Sequence, residues 1–198
     1  MTARTGMTNL ILLLRGMTDA GSVDYTIAGS PYWTNDQLQT ILDMHRVDIW
    51  REPLTPIETY VGGGSVEYLH YQSEFINFEE TSGGTDIFVV EEADGDNITT
   101  GFTPDYYRGH LTFSSDTLGT PYMLTGRSYD LNASAADIWN RKAAHFGQAF
   151  SFSTDNHRVD KGALITNALR MAEVYNRLCP PATSTILRSD VNESTFID

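Results

Sequence analysis

The stretch from Thr125 to Leu178 constrains this chain more than any other, because its apolar residues recur at the spacing of two amphipathic helices. In the first, Leu131, Ala135, Ile138, Lys142 or Ala143, and Phe146 form one stripe. Ala133, Ala135, Ala136, Ala143 and Ala144 favour helix and allow a neighbouring helix to approach closely. Asp130 or Asn132 can cap its start. In the second, Asp160 can cap a segment whose Leu164, Ala168, Met171, Ala172 and Tyr175 form its buried face, and Pro180 and Pro181 end it. A polar connection, Ser153-Thr154-Asp155-Asn156, joins the two, with Phe150 and Phe152 in extended chain just before it. No constellation in the hairpin is built for catalysis. An alanine-rich helical hairpin is packing machinery, and it points away from an enzyme and toward an assembly protein.

Two further helices are expected near the start. Leu10, Leu13 and Leu14 share one face of a short segment over 8–18, with Gly16 and Gly21 at its end. Thr34 and Gln37 have capping-box spacing, in which each side chain satisfies a free backbone donor of the other. Leu38, Ile41, Leu42, His45 and Ile49 follow at helical spacing, Tyr32 and Trp33 can staple the first turn, and Pro53 and Pro56 stop the element.

From Ile57 to Leu124 the helical period disappears and glycine, threonine and aromatic residues dominate. Candidate strands are Val66–Tyr71, Phe75–Glu79, Asp86–Glu92, Asn97–Phe102, Leu111–Phe113 and Tyr122–Thr125, with turns at Asp94-Gly95 and Arg108-Gly109. The expected fold is therefore α+β: a helical bundle (helices near 8–18, 34–50, 131–148 and 160–178) with an antiparallel β-rich insertion between the second and third helices. The corresponding spans are 1–51 for the N-terminal helices, 52–124 for the insertion and 125–179 for the helical hairpin. A polar tail, 180–198, is expected to be flexible or ordered by a partner.

Charge is unevenly distributed. The net charge of the 198 residues is −13. From Glu52 to Leu124 there are thirteen acidic residues and one basic, Arg108, giving −12; the rest has thirteen acidic and twelve basic, giving −1. So acidic a segment repels phosphate backbones, which argues against sequence-specific nucleic-acid binding. Solubility of a β-rich surface is one reading of it; avoidance of DNA or a basic partner is the other. The run Leu10–Leu14 is too short to span a bilayer, and no secretory signal is read at the start. The single cysteine, Cys179, forms no intrachain disulfide or cysteine-based zinc site and fits folding in the cytosol. His45, His70, His110, His145 and His157 lack metal-ligand spacing, so no metal and no cofactor is expected. Gly62-Gly63-Gly64 lacks the lysine and following helix of a phosphate loop. Glu79-Glu80 and Glu91-Glu92 are neighbours on expected strands, so each pair points to opposite faces and makes no acid/base dyad.

The order SYDLNASAADIWNRKA, then FSFSTDNHRVDKGALITNALRMAEVYNRL, resembles the head–tail connector (adaptor) proteins of long-tailed bacteriophages. The resemblance rests on Tyr129-Asp130-Leu131 before a small-residue helix carrying Ala135, Ala136, Asp137 and Trp139. It continues through Phe150, Phe152, Ser153 and Asp155 to a last helix with Met171, Ala172 and Tyr175. YWTNDQLQTILDMHRVDIW and GHLTFSSDTLGTPYMLTG extend it to roughly two thirds of the chain. It implies a virion neck protein, assembled in the host cytoplasm as a homo-oligomer, commonly a twelve-fold ring. That ring sits beneath the portal protein, extends the channel through which double-stranded DNA passes, and docks the next neck or tail-completion protein. The acidic β-segment is large for the family, and Asp160-Lys161-Gly162 replaces the usual arginine or serine at the start of the last helix.

Trp139 reads either as an interface anchor or as a core tryptophan. Arg141 and Lys142 read as contacts to a neighbour's acidic surface or as a solvated helix face. Tyr175 and, in the tail, Ile186, Leu187 and Phe196 complete the candidate subunit or partner interface; no catalytic residue is expected. A second class of function is a β-module binding carbohydrate or protein through Tyr60, Tyr68, Tyr71, Tyr106 and Tyr107. A third, a hydrolase using two carboxylates from different strands, has no nucleophile elbow, metal motif or histidine pairing behind it.

Overall fold

The structure, a computed structural model, describes residues 3–21, 26–27, 30–31, 33–81, 87–148, 152–154, 157–159 and 161–179. After a single 3-10 turn at Thr5–Met7 come α1 (Thr8–Thr18), the two-residue strands β1 (Thr26–Ile27) and β2 (Ser30–Pro31), and α2 (Asn35–Met44). Eight strands follow: β3 (Arg46–Pro53), β4 (Thr55–Val61), β5 (Ser65–Gln72), β6 (Val89–Glu92), β7 (Asn97–Ile98), β8 (Phe102–Asp105), β9 (His110–Phe113) and β10 (Tyr122–Tyr129). The chain continues with α3 (Leu131–Gln148), the hairpin β11 (Phe152–Thr154) and β12 (His157–Val159), and α4 (Lys161–Leu178).

The expected helical bundle with a β-rich insertion is corrected by this arrangement. The strands form two four-stranded antiparallel sheets, ordered β3-β10-β6-β7 and β4-β5-β9-β8, and these carry a hydrophobic core of their own. The second helix ends at Met44 rather than near residue 50. From Arg46 the chain is strand, antiparallel to β10 with Tyr129 opposite Arg46 and Ser128 opposite Val47. Ile49 fits the helical spacing that continues from Leu42, yet a β-branched residue alternating with Val47 and next to Trp50 also suits a pleated surface. The pairing with β10 decides in favour of strand, and Ile49 joins the sheet core. Strands β3 and β10 run through both ends of the expected insertion, so the sheets grow directly out of the helical layer.

Two cores result. The helical one gathers Leu10, Ile11 and Leu14 of α1, Leu38, Ile41 and Leu42 of α2, and Leu131, Ala135 and Ile138 of α3 around Trp33. The sheet core is aromatic. Phe113 stacks on Tyr122 at 4.7 Å, and Tyr71 meets both rings edge-on. Leu54, where the chain passes from one sheet to the other, is buried and its amide donates to the Tyr122 carbonyl. Aromatic pairs of this geometry add to their burial energy.

Turns obey the local chemistry. Thr34 and Gln37 form the reciprocal capping box. Gly95 and Gly109 have φ of 100° and 65°, and they turn the β6–β7 and β8–β9 hairpins. Gly109 also lies against the Phe75 carbonyl so closely that a Cβ would fall 2.0 Å from its oxygen. Gly62-Gly63-Gly64 is the tip of the β4–β5 hairpin.

Candidate interaction surfaces

The C-terminal end of α1 is the point on which the candidate residues of the helical hairpin converge. A helix ends with carbonyls that lack intrahelical partners. Here Asp19 takes a left-handed conformation, φ 48°, and stops the helix. The Met17 carbonyl accepts from Tyr175 Oη at 2.8 Å and from Trp139 Nε1 at 3.4 Å. Lys142 Nζ donates to the carbonyls of Thr18 at 3.0 Å and Asp19 at 2.7 Å, and sits 5.1 Å from the centre of the Trp139 ring. Lys142 is only 7% exposed. Its charge is placed where a helix C-terminus favours a cation, and the indole face adds to that field. Arg15 reaches back to the carbonyls of Ala20 and Trp33 and to Asn35, tying the same corner to α2.

The structure thus directs Trp139, Lys142 and Tyr175 at their own chain. Arg141 is exposed, with its guanidinium 3.8 Å from the Met44 sulfur. Ile186, Leu187 and Phe196 lie outside the described residues, as do Phe150, Asp155 and Asn156.

A second knot holds the N-terminal side of α1. Glu79 is fully buried, and its carboxylate accepts from Arg4 Nε at 2.8 Å and Tyr129 Oη at 2.7 Å, with Arg127 at 3.6 Å. Arg4 also forks onto Asp43 of α2 at 2.6 and 3.0 Å. These bonds to Asp43, and secondly to Glu79, hold the Arg4 guanidinium protonated well beyond its ordinary range, against burial. Burial works against the Asp43 carboxylate, but Arg4 outweighs it and leaves the group more acidic than usual. Burial first, and the Glu79 hydrogen bond second, push the Tyr129 hydroxyl far up. Four chain segments are locked together by this cluster, and its carboxylate is sealed from solvent. Nothing in the sequence signalled it, because Arg4 and Glu79 are 75 positions apart.

Other expected groups fall into ordinary structural places. Glu80 turns away from Glu79 and accepts from Asn9 at 2.5 Å. His70 and His110 stack with centroids 5.2 Å apart, and burial, then the His70 charge, lower the His110 pKa. Of the five tyrosines of the alternative reading, Tyr71 belongs to the sheet core and Tyr106 packs edge-on against Phe88. Tyr60 and Tyr68 both donate to Glu58 on the β4–β5 hairpin, at 3.4 and 3.2 Å. Among the described residues no three His, Cys, Asp or Glu side chains gather as metal ligands, and no described helix is long and apolar enough to cross a membrane.

What faces outward is apolar in an organised way. α4 buries Ala168 and Ala172 in the chain, yet Leu164, Val174 and Leu178 are 43, 44 and 59% exposed. Leu164, Met171 and Leu178 are spaced by sevens, with Val174 between them. Leu164, expected on the buried face of this helix, is thus exposed, because the apolar arc is wider than the described neighbours cover. On the sheets, Trp50 of β3 is 79% exposed beside a register shift opposite β10. Comparison with protein families, with curated proteins and with solved structures finds no match for this chain.

Proposed function

We propose that this chain is a structural head–tail adaptor of a long-tailed bacteriophage. Copies form a ring, twelve-fold in the family it resembles, beneath the portal. The ring extends the DNA channel and docks the next neck or tail component. The observation that carries this reading is the second apolar stripe of α4, on the segment where the resemblance is densest. A soluble helix that has satisfied its own core and still presents Leu164, Val174 and Leu178 to solvent is shaped to meet another protein surface. The acidic character of residues 52–124 suits passage of DNA without sequence-specific grip, since an acidic surface releases no counterions from the duplex. The protein works by assembly, in the neck of the virion, and uses no cofactor.

The test is mass spectrometry of purified particles of the encoding phage, with co-purification of the full chain on its portal ring. Stoichiometric presence in the neck and capture by the portal are the expected results. Absence from the particles sinks the reading.

A second reading has one observation behind it. Tyr60 and Tyr68 share Glu58 on the hairpin, an aromatic and carboxylate grouping that suits a sugar or a protein side chain. Binding of the full chain on a glycan array, lost in Tyr60→Ala, is the result that supports it.

A further inference from the structure

We infer that one copy of this chain docks on the next through two unlike surfaces, the outer stripe of α4 on one copy and the groove between α1 and β8 on its neighbour. The inference rests on the assembly reading above and adds the identity of both faces.

The first face is apolar with a basic rim. Residues 161–178 hold Lys161, Arg170 and Arg177 against the single acid Glu173, a net +2 in a chain of −13. Arg177 pairs with Glu173 one turn away on the same helix, and Arg170 is exposed. The stripe of Leu164, Val174 and Leu178 runs beside these charges.

The second face is apolar with an acidic rim. Leu13 of α1, Pro104 of β8 and Tyr107 line a shallow groove of about 330 Å³, and Glu80 and Asp105 border it. Leu13 and Tyr107 are exposed, as is Leu12 beside them. Asp105 has Arg108 at 4.0 Å, so the rim keeps two carboxylates to one guanidinium. α4 carries the largest net positive charge of the four described helices, and the groove's Glu80, Pro104 and Asp105 lie in the acidic 52–124 segment. Charge complementarity across a rim sets partner and register.

The same charges disfavour the simplest alternative. Two α4 stripes facing each other would bring the two Arg170 side chains together, and in a parallel pair the two Arg177 side chains as well, and like charges brought together weaken the pairing. A contact between unlike faces is heterologous, and such contacts close into a ring when the rotation between copies allows. The occupant of each face is therefore a second copy of this chain.

Sedimentation velocity of the full chain, at low salt and over a range of concentrations, reads the association. Wild type self-associates, and added salt weakens it. Arg170→Glu with Arg177→Glu weakens it at least tenfold, as does Glu80→Lys with Asp105→Lys. All four substitutions in one chain restore it, because the unlike faces are again complementary, whereas paired α4 helices would gain nothing. Circular dichroism and urea midpoints confirm that each variant is folded; if Glu80→Lys is not, Asp105→Lys alone takes its place. A wild type that stays monomeric up to near-millimolar concentration overturns the inference. So does a folded quadruple variant that fails to recover. The adaptor reading is separable: a chain that associates through these faces but is missing from phage particles defeats that reading alone. A chain present in particles and indifferent to all four substitutions defeats only the inference.

Discussion

The C-terminal end of α1 and the outer flank of α4 belong to one helical layer, and they are finished in opposite ways. At the end of α1, side chains from α3 and α4 meet the free carbonyls of Met17, Thr18 and Asp19. Along α4, four large aliphatic side chains, Leu164, Leu169, Val174 and Leu178, are left exposed by the described residues. The contrast teaches where each kind of residue is spent. Trp139 and Tyr175, of types enriched at interfaces, are used together with Lys142 to bind the chain to itself. Leucine and valine at heptad spacing, which look like ordinary core, are what the surface presents.

Substitutions sharpen this comparison in order of size. The largest effect is expected at the N-terminal knot. Arg4→Ala leaves the buried Glu79 carboxylate without its main partner, and breaking such a pair costs about 3 kcal/mol. A urea titration reads this as a lower midpoint with an unchanged slope. A midpoint equal to wild type would mean that the knot contributes no stability. The acid limb follows from Asp43. Its folded pKa lies below its ordinary value of 3.8, so its contribution is complete above that value and drains as pH falls through the folded one.

Next comes Lys142→Met, which keeps length but removes the donor to two helix-terminal carbonyls. Charged hydrogen bonds of this kind contribute about 2 kcal/mol, and the same titration should show that loss. If α1 were finished by solvent instead, the variant would be neutral.

Tyr129→Phe deletes one donor to Glu79 and is expected to cost about 1.5 kcal/mol. It carries a pH signature as well. A hydroxyl whose pKa is raised in the fold stabilises fully below its unfolded value of 10.0 and loses that contribution as pH rises beyond it. Wild type should therefore weaken between roughly pH 10 and 12 more than the phenylalanine variant does, measured by thermal melts. Equal alkaline slopes would remove Tyr129 as the cause.

The smallest stability effect belongs to the outward side. Val174→Ser with Leu178→Ser should change folding stability by no more than about 0.5 kcal/mol each, the range of surface substitutions. The same pair should abolish self-association in the centrifuge. Loss of both stability and association together would place the stripe in the chain's own core and erase the contrast.

Much of the local structure was legible. The Thr34–Gln37 capping box, the Asp94-Gly95 and Arg108-Gly109 turns and the periodic residues of α3 can be read within a few positions of one another. Such features depend on backbone donors and φ preferences that a short segment satisfies alone. Residues 46–50 were misread because their pattern fits both periods, and only β10, some eighty residues later, resolves it. Phe75–Glu79 reads as a strand but makes only a single bridge, Phe78 with Ser128. Its backbone is held instead by carbonyls of Tyr106, Tyr107 and Arg127 and by the glutamate knot. The exposure of Leu164 was hidden for a related reason. An apolar arc on a helix shows that burial is favourable, not whether the cover comes from the same chain.

The sequence by itself determined which segments could be helix, where the turns fall and where the charge is concentrated. Each of these follows from the period, the caps and the count of ionised groups along the chain. Tertiary structure alone decided that strands β3 and β10 join the helical layer to the first sheet, that Arg4 meets Glu79, and that Trp139, Lys142 and Tyr175 close the end of α1. Those outcomes depend on which distant groups share a desolvated space. A buried charge or carbonyl takes whatever partner the fold brings within hydrogen-bond reach, and proximity of that kind is not written in sequence spacing.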